Sequence, residues 1–211
     1  MANKSPPTPT GNHATTAADS TELLSIRSLA LQLQNKVVST LPSGVLKFFM
    51  DDAAVRLFDN ICRVLNIYAG SPVLANTHTK RMVKMNFQLA LQSSSNGLSE
   101  EESNLSCDFH DRCHQAAEIL LRLGRPKRCL LPGVRPSKEK LIEVINEAKD
   151  LVLRAMDAHL KEQTKAKFRE SVEYFANRDF MYTVLGNDAR YKVVLEQIYT
   201  DLEDLMDRGL F

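Results

Sequence analysis

Apolar residues recur every three or four positions along most of the chain, which is the pattern of amphipathic helices. Glycine, proline and capping residues separate the segments that show this pattern. The predicted helices cover residues 21–41, 51–68, 72–92, 100–123, 141–160, 165–177 and about 188–207, and a short apolar segment lies at 180–185. Because no segment alternates convincingly with the period of a strand, the sequence predicts an all-α protein, a single bundle of about seven helices.

The predicted helix at 141–160 has a wider apolar surface than a surface helix usually needs. At 100° per residue its apolar side chains form one broad arc, and charged residues hold the opposite side. The arc consists of Leu141, Val144, Ile145, Ala148, Leu151, Val152, Ala155 and Met156. A helix of this kind either packs against several neighbours or lines an apolar space, and periodicity does not distinguish the two.

The first twenty residues differ from the rest of the chain. They are rich in Pro, Thr, Ser, Asn and Ala and have no apolar periodicity. We therefore expect a disordered tail at 1–20, followed by one helical domain at 21–211.

The composition is that of an ordinary globular protein, with 44% apolar and 25% charged residues. The formal net charge of +1 gives no overall field that would favour nucleic acid as a partner. No apolar run approaches the length of a membrane span, and no secretory signal precedes the first helix. We expect a cytoplasmic protein whose four cysteines are reduced.

Candidate chemistry is sparse. Cys107, His110, Cys113 and His114 lie within eight residues, and these residue types can bind zinc. On one helix, however, they turn to different sides, so buried thiols with a surface histidine are the favoured interpretation. No serine-hydrolase, zinc-protease or nucleotide-binding motif is present. We expect no catalytic residue, no metal, no cofactor and no enzymatic activity.

Two polar features leave alternatives open. His159 lies on the apolar arc of the predicted central helix, either as a hydrogen-bonded residue at the helix end or as a polar group at the mouth of an apolar site. Basic residues are concentrated at 122–140 and again just after the central helix. They form either solvated faces or a surface for anionic lipid headgroups.

Four stretches together carry a family resemblance. They are LALQLQNKVVS at 29–39, MDDAAVRLFDNICRVLNIY at 50–68, AHL followed by KEQTKAKF at 158–168, and SVEYFANRDFMYTVLG at 171–186. In order and spacing they resemble the tumour necrosis factor alpha-induced protein 8-like family, also called the TIPE family, over residues 25–207. The chain looks like a divergent member, with a longer N-terminal tail and an insertion at 124–136.

The resemblance implies helices around a central, elongated hydrophobic cavity that binds phospholipid tails, with phosphoinositide headgroups at a basic mouth. It implies a lipid-transfer protein and signalling adaptor in cell-death, immune or small GTPase pathways. The expected partners are a phosphoinositide-containing membrane surface, reached transiently at the plasma membrane, and small GTPase or cell-death signalling proteins. The expected form is a monomer with a bound phospholipid or fatty-acyl ligand. The alternative is a protein-interaction adaptor with a solid core.

Site residues follow from the positions that match the family. The implied headgroup-binding residues are Lys36, Lys84, His110, Arg112, Lys165 and Lys167. Asn35 stands where the family has a second lysine beside Lys36. The apolar stripes supply the expected cavity-lining residues: Leu33, Phe58, Ile61, Phe87, Phe109, Cys113, Leu120, Ile145, Leu151, Val152, Met156 and Phe175.

Overall fold

The structure is a computed structural model that describes residues 51–125 and 136–210, together with Ser28. The predicted tail at 1–20, nearly all of the predicted helix at 21–41 and most of the basic loop at 124–136 lie outside the described residues. Within those residues the secondary structure consists of helices without a strand, which confirms the all-α prediction.

Residues 51–125 and 136–210 contain seven α-helices and one short 3-10 turn. The helices are α1 (Asp52–Ala69), α2 (Pro72–Ser94), α3 (Glu100–Gly124), α4 (Lys138–Ala155), α5 (Glu162–Phe175), α6 (Arg178–Val184) and α7 (Ala189–Asp207). The 3-10 turn, Asp157–His159, connects α4 to α5.

Side-chain caps define where most of these helices begin. Asp51, Ser71 and Ser137 each accept a hydrogen bond from a backbone N–H in the first turn of the following helix. At α3, Ser99 and Glu102 form the reciprocal capping box that their spacing predicts. These local bonds satisfy backbone donors that have no partner within the helix.

The structure corrects two boundaries. The central helix ends at Ala155, because the backbone leaves the helical conformation at Met156. The apolar pattern continues to Leu160, so periodicity alone gave no sign of this end. Where the sequence predicted only a short apolar segment at 180–185, residues 178–184 form α6, with the side chain of Asn177 as its N-cap. Seven residues contain too few turns for a helical period to be recognised.

Six of the helices form a closed ring. In order around it, α1 packs against α7, α7 against α3, α3 against α4, α4 against α5, α5 against α2, and α2 again against α1. The short helix α6 packs against α1, α4 and α5. Helices α2 and α3 therefore face each other mainly across the interior of the ring.

Two clusters of buried side chains stabilise the ring. One gathers residues of α1, α6 and α7 with the C-terminal half of α3 and the N-terminal half of α4. The other gathers residues of α2 and α5 with the N-terminal half of α3 and the C-terminal half of α4. None of the described helices is both long and apolar enough to cross a membrane.

Candidate functional site

The interior of the ring encloses a cavity of about 950 Å³. Its wall contains residues from all seven helices, together with Gly209 and Leu210 after α7. Pockets that hold small molecules typically range from about 300 to 1,000 Å³, so this volume lies at the upper end of that range. The wall is mainly aliphatic and aromatic, which favours an apolar occupant.

Seven of the residues expected to line a cavity lie in its wall: Phe58, Ile61, Phe109, Cys113, Leu120, Ile145 and Phe175. Four others are not part of the wall: Phe87, Leu151, Val152 and Met156. Leu33 lies outside the described residues.

The length of the cavity explains two of these four. Val152 projects from nearly the same side of α4 as Ile145, but about two turns further along the helix, and Met156 directly follows the end of the helix. There the second cluster fills the interior, and both side chains are at most 1% exposed. Leu151 packs beside that cluster, and Phe87 is buried on another side of α2. Periodicity gives the face of a helix but not the point at which an empty space ends.

The wall also contains residues that the sequence did not single out. Helix α6 contributes Phe180, Met181 and Val184, and α7 contributes Leu195, Ile198 and Leu202. The apolar run at 180–185 and the stripe of the last helix were both visible in the sequence. Only the packing of α6 and α7 around the ring shows that these side chains reach the cavity.

The cavity opens where α2 ends and α3 begins. Ser93, Cys107, His110 and Asp111 belong to the wall and are exposed to solvent. At this end Ser93 Oγ lies 3.5 Å from Ser106 Oγ. We call this side the open end, and its rim is polar.

Aromatic rings close the opposite side, the closed end. Phe180 lies against Tyr68, Tyr174 and Phe175, with ring centroids 5.0 to 6.1 Å apart. The imidazole of His78 stacks on Tyr174 at 4.5 Å. Its Nδ1 is 3.0 Å from Ser171 Oγ, and burial lowers the pKa of His78. The closed end is thus a tightly packed layer between α1, α2, α5 and α6.

The predicted headgroup cations do not come together. Lys165 is buried, and its ammonium group contacts the carboxylates of Asp157, at 2.6 Å, and Glu162. Its hydrogen bonds, first to Asp157 and then to Glu162, raise the pKa of Lys165. This lysine stabilises the turn between α4 and α5, and its charge is already compensated there.

The other four described candidates are dispersed. Arg112 pairs with Glu147 at 3.0 Å, and Lys84 is exposed on the side of α2 away from the cavity. Lys167 is exposed on α5 and is not part of the wall. Of the five described candidates, His110 alone lies at the open end. Lys36 lies outside the described residues.

A different lysine belongs to the cavity wall. Lys149 of α4 is the one lysine or arginine among the described residues that line the cavity. Its Nζ lies 3.1 Å from Asn146 Oδ1, 3.7 Å from a carboxylate oxygen of Glu173 and 3.8 Å from one of Asp150, and the side chain is 12% exposed. A signal existed in the sequence, because Lys149 follows Ala148 and lies one turn beyond Ile145, at the edge of the apolar arc.

The four cysteine and histidine residues of α3 lie in different surroundings. Cys107 and His110 lie at the exposed rim, whereas burial raises the pKa of Cys113 to about 12. His114 instead lies 3.8 Å from Glu118 on the same helix. Cys113 therefore acts as a small, protonated side chain of the wall.

His159 is not part of the cavity wall. Its Nε2 lies 3.3 Å from a carboxylate oxygen of Glu102, the capping residue of α3. This contact joins the 3-10 turn to the beginning of α3. It supports the interpretation of His159 as a structural residue at a helix end.

Comparison with known proteins gives a consistent match. A family model described as "Tumor necrosis factor alpha-induced protein 8-like" matches residues 24–209. The chain is 24% identical to tumor necrosis factor alpha-induced protein 8-like protein 2 of Xenopus laevis, over 88% of this chain and 97% of that protein. It is also 24% identical to tumor necrosis factor alpha-induced protein 8-like protein 1 of Danio rerio, over 88% of this chain and 97% of that protein. Its identity to tumor necrosis factor alpha-induced protein 8 of Gallus gallus is 20%, over 90% of this chain and 98% of that protein.

Proposed function

The chain belongs to the tumor necrosis factor alpha-induced protein 8-like family, and from this premise we propose that it is a signalling regulator that binds and transfers lipid. The ligand is a phospholipid or fatty-acyl chain held in the central cavity. One observation carries this proposal: an apolar cavity of about 950 Å³ that opens at a polar rim. The proposal includes no catalytic step.

The energetics of an acyl chain suit such a cavity. Each methylene that leaves water contributes about 0.8 kcal/mol, so a sixteen-carbon chain with about fourteen methylenes gains roughly 11 kcal/mol. The loss of translational and rotational freedom offsets part of this gain. The driving force is not specific for one chain, and a polar group at the rim has to orient the lipid.

The open end offers groups that can contact a headgroup. We expect His110 and the hydroxyls of Ser93 and Ser106 to donate hydrogen bonds at this end. Lys149 lies elsewhere in the wall and faces the carboxylates of Glu173 and Asp150, and we expect it to exchange them for an anionic headgroup that enters the cavity. Selection of a phosphoinositide would require further cations, for which Lys36 and the basic loop at 125–135 are the candidates in the sequence. Such a surface would hold the protein transiently at the plasma membrane, where small GTPase or cell-death proteins could be its partners.

Native mass spectrometry of the purified full chain, followed by lipid extraction, tests the proposal directly. We expect a lipid-bound mass and transfer of fluorescent phospholipid between vesicles. Ala117→Phe fills the wall at the middle of α3, where Ala117 is 4% exposed, and should reduce both signals. Val193→Phe is the matched control, since Val193 is 71% exposed and not part of the wall.

The outcomes separate the two candidate functions. A lipid-free mass and no transfer by the folded wild-type protein would reject lipid binding and favour the protein-interaction adaptor. Equal lipid binding by the two phenylalanine variants would place the lipid outside the cavity.

The contribution of Lys149 is tested separately. Lys149→Gln should weaken binding of anionic phospholipid more than binding of phosphatidylcholine, because only the charge is removed. Lys192→Gln removes a lysine from the exposed surface of α7 and serves as the control. Identical lipid preferences in the two variants would show that Lys149 does not contact the headgroup.

A further inference from the structure

The wall of the cavity contains one buried hydroxyl without a hydrogen bond. Thr79 of α2 lines the cavity and is 1% exposed, and its Oγ1 has no hydrogen-bond partner within the part of the chain that the structure describes. Threonine in a helix commonly donates to the carbonyl of the preceding turn, which satisfies the hydroxyl. Buried polar groups almost always have a partner, so an unpaired one requires an explanation.

The position of Thr79 indicates where such a partner would come from. Thr79, Met82 and Asn86 follow one another at helical spacing along the cavity side of α2. The neighbouring His78 belongs to the aromatic layer, so Thr79 lies near the closed end. The hydroxyl is therefore available to the inner part of a ligand.

The neighbouring residues of α2 offer a single ordered water few partners beside this hydroxyl. A buried water typically needs two to four polar partners. The nearest polar wall residue along α2 is Asn86, seven residues and about 10 Å away, and its Nδ2 already donates to the carbonyl of Met82. His78 is directed at Ser171 rather than at the cavity.

The depth of the site selects one part of a lipid. From Ser93 at the open end to Thr79 there are fourteen residues, or about 21 Å along the helix. One lipid tail crosses half of a hydrocarbon core about 30 Å thick, or about 15 Å. An extended chain is longer than this average in a bilayer, so with the headgroup at the rim the far end of the tail is the part that comes nearest to Thr79.

We propose that the cavity selects acyl chains that carry a hydrogen-bonding oxygen, such as a hydroxyl, near their methyl end. Thr79 is the residue that binds this oxygen. The proposal rests on the proposed function, because it requires an acyl chain in the cavity. Two sources share the chemistry: a free hydroxy fatty acid and a phospholipid whose tail is hydroxylated.

The test is a double-mutant cycle on the full chain with palmitate and 16-hydroxypalmitate as probes. The wild-type protein should prefer the hydroxylated probe by about 2- to 12-fold relative to the preference of Thr79→Val, which is the effect of one neutral hydrogen bond. Thr79→Ser keeps a hydroxyl and should keep the preference. Thr183→Val removes an exposed threonine hydroxyl on α6 and should change nothing.

A second pair of probes distinguishes the sources. Lysophosphatidylcholines that carry the same two chains should show the same coupling to Thr79 if the natural ligand is a phospholipid. Coupling with the free acids alone would assign the site to fatty acids. Either result supports the selection of an oxygenated chain.

Three results would overturn the proposal. The first is an equal preference in wild-type protein and Thr79→Val, with palmitate still bound; this leaves the proposed function intact. The second is failure of all probes to bind the folded wild-type protein, which removes both. The third is a lower urea midpoint for lipid-free Thr79→Val, because that would reveal a partner of the hydroxyl within the protein.

Discussion

Two alanines of α4 allow the cavity to be tested by stability alone. Ala148 and Ala155 lie seven residues, about two turns, apart on the same helix and are 7% and 0% exposed. Both belong to the second cluster, but Ala148 also lines the cavity, whereas Ala155 is not part of the wall. Leucine at the two positions therefore meets empty space in one case and packed side chains in the other.

The expected free energies of unfolding differ in sign. Leucine at position 148 adds about three buried carbons, worth up to about 2.4 kcal/mol. Lost rotamer freedom of about 0.5–1 kcal/mol and a small decrease in helix propensity reduce this gain. We expect Ala148→Leu to stabilise the lipid-free protein by about 1 kcal/mol. Ala155→Leu overfills a packed cluster and should destabilise it by about 1–3 kcal/mol.

Urea unfolding of lipid-free protein, followed by circular dichroism, measures both changes. Equal m-values are required, so that a shifted midpoint reports stability rather than a changed unfolded state. The reasoning is refuted if both variants lose the same stability, because Ala148 would then face a filled core. Ala148→Leu should also weaken lipid binding, since it takes part of the volume.

Three further predictions concern the closed end and the frame of the ring. A Cβ on Gly124 would lie 2.1 Å from Cζ of Tyr199, so Gly124→Ala should cost about 1–3 kcal/mol in chemical unfolding. Hydrogen bonds from Arg208 hold the pKa of Asp51 at about 2. The wild-type protein should therefore be more stable than Asp51→Asn above about pH 4, and this advantage should disappear as the pH falls through 2. Unfolding free energies of both proteins, measured over the same pH series, test this. Burial lowers the pKa of His78, so the unfolded chain binds the proton first and stability should fall below about pH 6.5, by at most about 1.4 kcal/mol per pH unit. His78→Gln should abolish that slope, and an unchanged slope would contradict the assignment.

Helical periodicity predicted most of the frame, because each amphipathic face has to be buried against a neighbour. It could not predict the extent of the cavity. Ile145 and Val152 project from similar sides of α4, yet only Ile145 reaches the cavity, since Phe168 and its neighbours fill the space beyond. That difference depends on side chains distant in sequence.

Charge was harder to interpret than apolar pattern. Lys165 resembled a headgroup ligand, but the 3-10 turn brings Asp157 next to its ammonium group. Lys149 does not belong to a basic cluster in the sequence, yet its position on α4 places it in the cavity wall. The sequence shows which basic residues are present, but only the tertiary contacts show which of them are already paired with carboxylates.

The width and the depth of the cavity are set by different helices. The six ring helices set its width, whereas α6 closes one end with Phe180, which contacts three other rings and also faces the cavity. A change in α6 can therefore alter depth while the ring remains intact. For the acyl chain that we propose as the ligand, the residue at position 180 would therefore set the longest chain that fits: a larger side chain should shorten the space and a smaller one should lengthen it, while the ring helices keep their packing.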